Sequence, residues 1–177
     1  FSGKTLEYRY DIPSQFEGGN EYFYFDTKDL RVTSPNINYI DRDDLYESYL
    51  SIDIPRTYSE YTYAPDVNGK FEIRNVMGPG DPDTHADYSY VYFSLASDYQ
   101  LNEEEIFIYG NFNNYQLNKL NKMYYNPSLE VFEGVLLLKQ GFYNYKYVSK
   151  EGDNLRKNSL SGSFSLTEND YHVLVYY

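Results

Sequence analysis

The chain of 177 residues contains no cysteine and only two histidines, His85 and His172. The missing thiols exclude a disulfide framework, an iron–sulfur centre, a thiolate zinc site and a cysteine nucleophile. Alanine, the best helix former, occurs three times, at Ala64, Ala86 and Ala96. Basic residues are scarce as well: 15 Lys and Arg stand against 27 Asp and Glu, a net charge of −12. No short window holds four basic residues, so neither a phosphate backbone nor an anionic membrane is an expected partner. The longest wholly aliphatic run is Val135–Leu138, far short of the ~20 apolar residues a spanning helix needs. No signal peptide or lipidation motif is visible, and the abrupt start at Phe1-Ser2-Gly3 suggests a piece of something longer.

What the chain has in excess is aromatic: 24 Tyr and 11 Phe. With Val and Ile these residues favour a pleated, half-buried surface. Apolar residues recur with period two rather than 3.6. Val91, Phe93 and Leu95 share one strand face and Tyr90 and Tyr92 the other; Tyr143, Tyr145 and Tyr147 share a face opposite Phe142, Asn144 and Lys146. The reading is all-β. Candidate strands are 5–10, 21–26, 48–52, 58–63 and 70–76, with Asn68-Gly69 as a hairpin signal. Further candidates are 88–95, 105–110, 122–126, 131–138, 142–150, 159–164 and 171–177, with Lys139-Gln140-Gly141 as a tight connection. The polar stretch 29–45 reads as an irregular excursion. Two Gly and two Pro within Met77-Gly78-Pro79-Gly80-Asp81-Pro82-Asp83 mark a division. The expectation is therefore two β-sandwich domains, 1–83 and 84–177. Seven short strands in the second fit an immunoglobulin-like sandwich.

A search for chemistry gives little. There is no Gly-x-Ser-x-Gly elbow, no phosphate-cradling loop and no His-Glu-x-x-His. Asp81, Asp83, His85 and Asp87 alternate like calcium ligands on a loop. Ala86 and Tyr92 occupy the places where a calcium loop has its glycine and its bidentate glutamate. A solvated connector is the simpler account, and the same holds for Asp41, Asp43 and Asp44 around Arg42. The chain is thus expected to be no enzyme and to need no metal or other cofactor.

Two resemblances add to this. Ile108-Tyr109-Gly110-Asn111-Phe112-Asn113-Asn114-Tyr115 precedes Met123-Tyr124-Tyr125, the strand Phe132–Leu138, and Gly141-Phe142-Tyr143-Asn144-Tyr145-Lys146-Tyr147-Val148. This order resembles the early-set immunoglobulin-like modules that bind glycogen and starch. Those modules stack exposed Trp on sugar faces; this chain has no Trp, and Tyr115 stands at the corresponding position. The second resemblance covers nearly the whole chain. It rests on Phe16-Glu17-Gly18-Gly19-Asn20-Glu21-Tyr22-Phe23-Tyr24-Phe25-Asp26, Asn68-Gly69-Lys70-Phe71 and 86–95, then Leu138-Lys139-Gln140-Gly141-Phe142-Tyr143-Asn144-Tyr145, Gly162-Ser163-Phe164 and Thr167-Glu168-Asn169-Asp170-Tyr171.

That ordered set resembles the plug protein family of the type IX secretion system, long described as a domain of unknown function. The resemblance implies a periplasmic β-protein at the inner face of the outer membrane. Its partner would be the outer-membrane translocon barrel, whose periplasmic mouth it seals while no substrate is in transit. The alternative is a carbohydrate-binding module of the early-set type. Under either, the loop residues Asn113, Asn114, Tyr115 and Leu117 are the candidate partner-binding residues.

Overall fold

The computed structural model describes residues 16–64, 66–76, 80–96, 104–169 and 174. Ten strands and one four-residue helix follow in order: β1 (Phe23–Asp26), β2 (Ile37–Arg42), β3 (Tyr46–Leu50), β4 (Phe71–Ile73), α1 (Pro82–His85), β5 (Tyr88–Ala96), β6 (Glu105–Tyr109), β7 (Tyr124–Asn126), β8 (Val131–Lys139), β9 (Gly141–Glu151) and β10 (Asn154–Arg156). They make two five-stranded sheets. Sheet one is organised on β9, which pairs antiparallel with β1, β4, β6 and β10. Sheet two runs β2-β3-β5-β8-β7, with β3 and β5 parallel and the other neighbours antiparallel.

The all-β expectation holds, whereas the division at 83/84 does not separate two sandwiches among the described residues. Strands from both sides of that point occur in both sheets. One hydrophobic cluster joins Phe25, Ile37 and Leu50 to Val91, Phe93, Leu95, Ile106, Ile108, Phe132, Tyr143, Tyr145 and Tyr147. Gly and Pro between 77 and 83 mark a loop, but the strands on either side of that loop share a core. No short strand pair buries enough apolar area to stand alone, and joining the two sets solves that problem.

The period-two reading is accurate where a strand is long. Along β5, Ser89, Val91, Phe93 and Leu95 are buried while Tyr88, Tyr90 and Tyr92 face out. On β9, Tyr143, Tyr145 and Tyr147 all point into the core. Burying a phenol requires a partner for its hydroxyl. Tyr143 donates to the Lys139 carbonyl at 2.8 Å, and Tyr145 and Tyr147 donate to Asp53 Oδ2 at 2.6 and 2.7 Å.

Lys139-Gln140-Gly141 is a sheet-to-sheet crossing rather than a hairpin, because β8 belongs to sheet two and β9 to sheet one. Gln140 is buried and ties three segments together: its side-chain carbonyl accepts from Asp87 N–H at 3.0 Å, and its amide donates to the Lys28 carbonyl at 3.1 Å. Its backbone carbonyl accepts from Arg74 N–H at 3.2 Å. A Cβ on Gly141 would sit 2.5 Å from the Glu72 carbonyl oxygen, so only glycine fits there.

Four strand assignments change. β2 forms inside the stretch expected to be irregular. It is an edge strand whose core contacts are Ile37 and the half-buried Ile40, too few to show as alternation. β10 is a three-residue return after Gly152, whose φ is 59°. Residues 58–63 form no strand, and Tyr58 is 88% exposed. Residues 159–164 also form no strand: Gly162 breaks the run with φ 81°. Asn68 and Gly69 do take positive φ, 53° and 75°, closed by Lys70 N–H to the Val67 carbonyl at 3.1 Å. They form a turn leading into β4 rather than a β-hairpin. Candidate strands 5–10 and 171–177 lie outside the described residues, apart from Leu174.

Candidate functional site

The expected binding loop leaves β6 at Gly110, makes a short 3-10 turn over Asn111–Asn113, and reaches Met123 and β7. Asn113 serves the loop itself: its amide donates to the Ile108 carbonyl at 2.9 Å, and its Oδ1 accepts from Gly110 N–H at 3.3 Å. Leu117 packs on Phe107, Tyr109 and Val148. Asn121, buried beneath the loop, donates to the Ile108 and Gln116 carbonyls, both at 2.8 Å. Asn114 is exposed, with φ 54°. Tyr115 has φ 55°; its ring lies 5.2 Å from that of Tyr109, and its hydroxyl donates to the Gly69 carbonyl at 3.0 Å. Tyr22 joins this group, and burial, together with the nearby Tyr115 and Asp66, pushes its phenol up to about 12. Of the four expected residues, Asn114 and Tyr115 reach solvent, while Asn113 and Leu117 build the loop.

The acidic run is also used locally. Asp81 caps α1 by accepting from Asp83 N–H at 3.0 Å, and its carbonyl accepts from Thr84 and His85 N–H, both at 3.0 Å. Among the described residues no three His, Asp or Glu side chains gather as metal ligands.

The larger surface is the outer face of sheet two, which loop-centred reasoning passes over. Cross-strand register aligns Tyr39, Tyr49, Tyr92 and Val135 in one row across four strands. The next row is Asp41, Glu47, Tyr90 and Leu137; Tyr88 lies opposite Lys139 beyond it. Tyr49 and Tyr92 stack with ring centroids 4.2 Å apart and planes 11° from parallel, and Tyr39 lies 5.7 Å from Tyr49. Glu47 accepts from the Tyr49 hydroxyl at 2.7 Å and the Tyr92 hydroxyl at 3.2 Å. That hydrogen bond is the first cause of a raised Tyr49 phenol; burial is the first cause for Tyr92. Both remain neutral donors in the working pH range.

Around this fixed stack the large side chains are open: Tyr39 is 54% exposed, Tyr88 49%, Tyr90 39%, Val135 42% and Leu137 49%. The face continues into a groove of about 620 Å³ along β7, lined by Tyr124, Tyr125, Lys119, Lys122, Leu120 and Val135 among others. Aromatic side chains are enriched at macromolecular interfaces in general. Tyr combines a large ring, a polar tip and few rotamers. The register signal was present in the alternation of Tyr88, Tyr90 and Tyr92. What the sequence lacked was β2, which adds Tyr39, and the parallel pairing that sets Tyr49 of β3 beside β5.

The strings that carry the plug resemblance meet in space. Gly19, with φ 69°, accepts at its carbonyl from Phe164 N–H and the Thr167 hydroxyl, both at 2.8 Å. Asn169 donates to the Gly18 carbonyl at 2.8 Å and Asn20 to the Ser161 carbonyl at 2.7 Å. A Cβ on Gly18 would overlap the Phe164 carbonyl oxygen at 2.0 Å. The buried Glu21 accepts from the Tyr61 hydroxyl at 2.6 Å. These residues clasp two distant stretches of chain and belong to the scaffold.

No protein-family model matches the sequence, and no curated protein matches it. Among solved structures the chain is similar to a hypothetical protein from Parabacteroides merdae ATCC 43184, whose crystal structure extends to 2.30 Å. The match has a TM-score of 0.80 at 32% identity and covers 86% of this chain. The chain spans 38% of that protein's length. No helix among the described residues is long and apolar enough to cross a membrane.

Proposed function

We propose that this chain is a non-catalytic protein-interaction module that acts as part of a periplasmic plug for the type IX secretion translocon. The observation that carries this reading is the open tyrosine face of sheet two: four strands present a row of Tyr39, Tyr49, Tyr92 and Val135 with its polar tips already organised by Glu47. The ordered sequence strings resembling the plug family supply the partner, an outer-membrane barrel, and the location at the inner face of the outer membrane. A plug has to leave its seat when substrate passes. A face that mixes aromatic rings with polar tips and charged margins suits reversible contact better than a wholly apolar seam.

The test is permeability of outer membranes carrying the translocon, with and without the full protein. Loss of the protein should open the barrel to small solutes; a barrel that stays equally closed overturns the reading. A glycan-binding reading finds its best support at Tyr124, which is 62% exposed beside the β7 groove, rather than at Tyr115, whose hydroxyl is engaged. Glycan-array binding that disappears with Tyr124→Ala would favour it.

A further inference from the structure

One edge of β8 is half covered. β5 runs along all of Val131–Lys139, whereas β7 pairs with Val131–Glu133 and stops. The direction of the uncovered backbone groups follows from β5. The Ser94 carbonyl and the Ala96 N–H turn to Asp53. Leu95, Phe93, Val91 and Ser89 therefore turn to β8 and bond Phe132, Gly134, Leu136 and Leu138. Val135, Leu137 and Lys139 direct their N–H and C=O groups the other way, to the edge that β7 leaves. The Lys139 carbonyl accepts from the Tyr143 hydroxyl. Among the described residues no hydrogen bond reaches the N–H or C=O of Val135 or Leu137.

Other edges of the two sheets are guarded. On β1 the outward carbonyls of Tyr24 and Asp26 accept from the Asn36 amide at 2.9 Å and the Ser34 hydroxyl at 2.6 Å. On β6 the Ile106 carbonyl accepts from Met123 N–H at 2.8 Å, and the Ile108 carbonyl accepts from Asn113 and Asn121. β2 carries Asn38, Asp41 and Arg42 and slips register between Ile37 and Tyr39. Such devices keep an edge from templating a further strand. Among the described residues the β8 edge has none over Val135-Leu136-Leu137-Leu138, the longest wholly aliphatic run of the sequence. Leu136 and Leu138 point inward and are half-buried against the core. The groove lined by Tyr124, Gly134 and Val135 opens where β7 stops.

We propose that this edge of β8 binds an extended peptide segment of another protein, which adds to sheet two as a strand in the row where β7 stops. N–H and C=O groups at strand spacing are complementary to an extended backbone, and that complementarity names the occupant. The room beside Val135–Lys139 fits a segment of about five residues. Its inward side chains cover Leu136 and Leu138 and are therefore apolar; its outward ones lie beside the exposed Val135 and Leu137. A second copy fits less well, because its β8 brings its own β7 in the same row. Two-fold pairing centred on Leu137 would set that copy's Tyr124 level with Gly141, where the crossing between the sheets already stands. A lone segment meets no such obstacle. The proposal rests on the edge and is independent of the plug reading.

Amide hydrogen exchange followed by NMR tests this residue by residue. In the dilute free chain Val135 and Leu137 should exchange fast, while Leu136 and Leu138, bonded to β5, are protected. Slow exchange at Val135 and Leu137 there would mean that the edge is already covered, and overturns the proposal. The probe is a peptide selected on the immobilised chain from a displayed random library. It should slow exchange at Val135 and Leu137 by an order of magnitude or more. N-methylation of that peptide at alternate positions should abolish binding in one frame and spare it in the other. Leu137→Pro, which removes an edge N–H and no bond to β5, should lose the peptide, with circular dichroism establishing that the variant is folded. A library that yields no binder overturns the proposal. So does a binder indifferent to both N-methylated frames, or one that leaves the two amides exchanging as before. Protection that rises with the concentration of the chain alone assigns the edge to a second copy and overturns the choice of occupant.

Discussion

The two sheets turn different outer faces to their surroundings. On sheet one, the outward residues Asn144 and Val148 of β9 are fully buried. Val148 sits under Leu117 and Leu155 with Phe107 and Tyr109. Asn144 Oδ1 accepts from Val67 N–H at 2.8 Å and Gly69 N–H at 3.2 Å, so the turn before β4 lies across it. On sheet two, the outward residues of β5 and β8 remain open, with Tyr88, Tyr90, Val135 and Leu137 all exposed. The same alternation therefore has two outcomes. Where loops return over a sheet, both its faces stabilise the fold. Where none of the described residues do, the outer side chains stay exposed. Tyrosine content alone does not distinguish the cases: Tyr145 and Tyr92 alternate identically, yet one holds the core and the other lies on a surface.

The largest effects should come from residues shared by the two sheets. Phe93 of sheet two is buried against Phe25 and Tyr145 of sheet one, with ring centroids at 5.7 and 5.1 Å. Phe93→Ala should cost about 3–5 kcal/mol in chemical denaturation, by lost transfer energy plus the cavity left behind. A cost under ~1 kcal/mol would mean that the sheets do not share one core.

A change of pH should act next, through Asp53. This carboxyl lies between the sheets: its backbone pairs with Ser94 and Ala96 at the end of β5, and its side chain accepts from Tyr145 and Tyr147 of β9. Burial raises it to about 6, against the opposing effect of the two phenol hydrogen bonds and Arg56. The folded chain then holds this proton more tightly than the unfolded chain, where the carboxyl titrates near ~3.9. Its contribution to stability is full below that value and is lost as pH rises through about 6. The difference is of order 2–3 kcal/mol. Asp53→Asn should flatten this part of the stability–pH profile; an unchanged profile would remove Asp53 as its cause.

The comparison of faces is sharpened by a matched pair of substitutions. Asn144→Ala on the covered face leaves the buried Gly69 N–H and the partly buried Val67 N–H without their acceptor and should cost about 1–3 kcal/mol. Tyr90→Ser on the open face should alter stability by no more than about 0.5 kcal/mol. Equal effects on melting would mean that the two faces are equivalent. The smallest effect is expected at Asn114, exposed in the left-handed region: Asn114→Gly should be neutral to within a few tenths of a kcal/mol.

How much of this was legible in the sequence varies from one element to another. β5 and β9 were readable because each has four or more alternating large residues, and the grouping of those residues onto two faces holds; which face is inward was not legible. β2 was hidden, since an edge strand with Asn38, Asp41 and Arg42 shows almost no alternation. Tyr61 and Tyr63 alternate without a neighbouring strand, because Tyr61 binds Glu21 instead of joining a ladder. The boundary near 78–82 was misread for a related reason: Gly and Pro report a loop, and no local signal says whether strands on either side share a core. Of the loop residues expected to bind, Asn113 could not be recognised as structural without knowing that its side chain closes on Ile108. The tyrosine face depended on β3 running parallel to β5, a pairing of residues more than forty positions apart, such as Tyr46 with Ser89, that no hairpin signal encodes.

The most direct test of the interaction surface is hydroxyl-radical footprinting of the protein, free and on translocon-bearing outer membranes. It should be run at a concentration where the free chain is monomeric. Oxidation of Tyr39, Tyr88 and Tyr90 should fall several-fold on binding, while Tyr58 and Tyr63, both exposed and outside the strands of sheet two, should react as before. Unchanged oxidation of the three sheet tyrosines alongside demonstrable binding would contradict the account and place the contact elsewhere on the molecule.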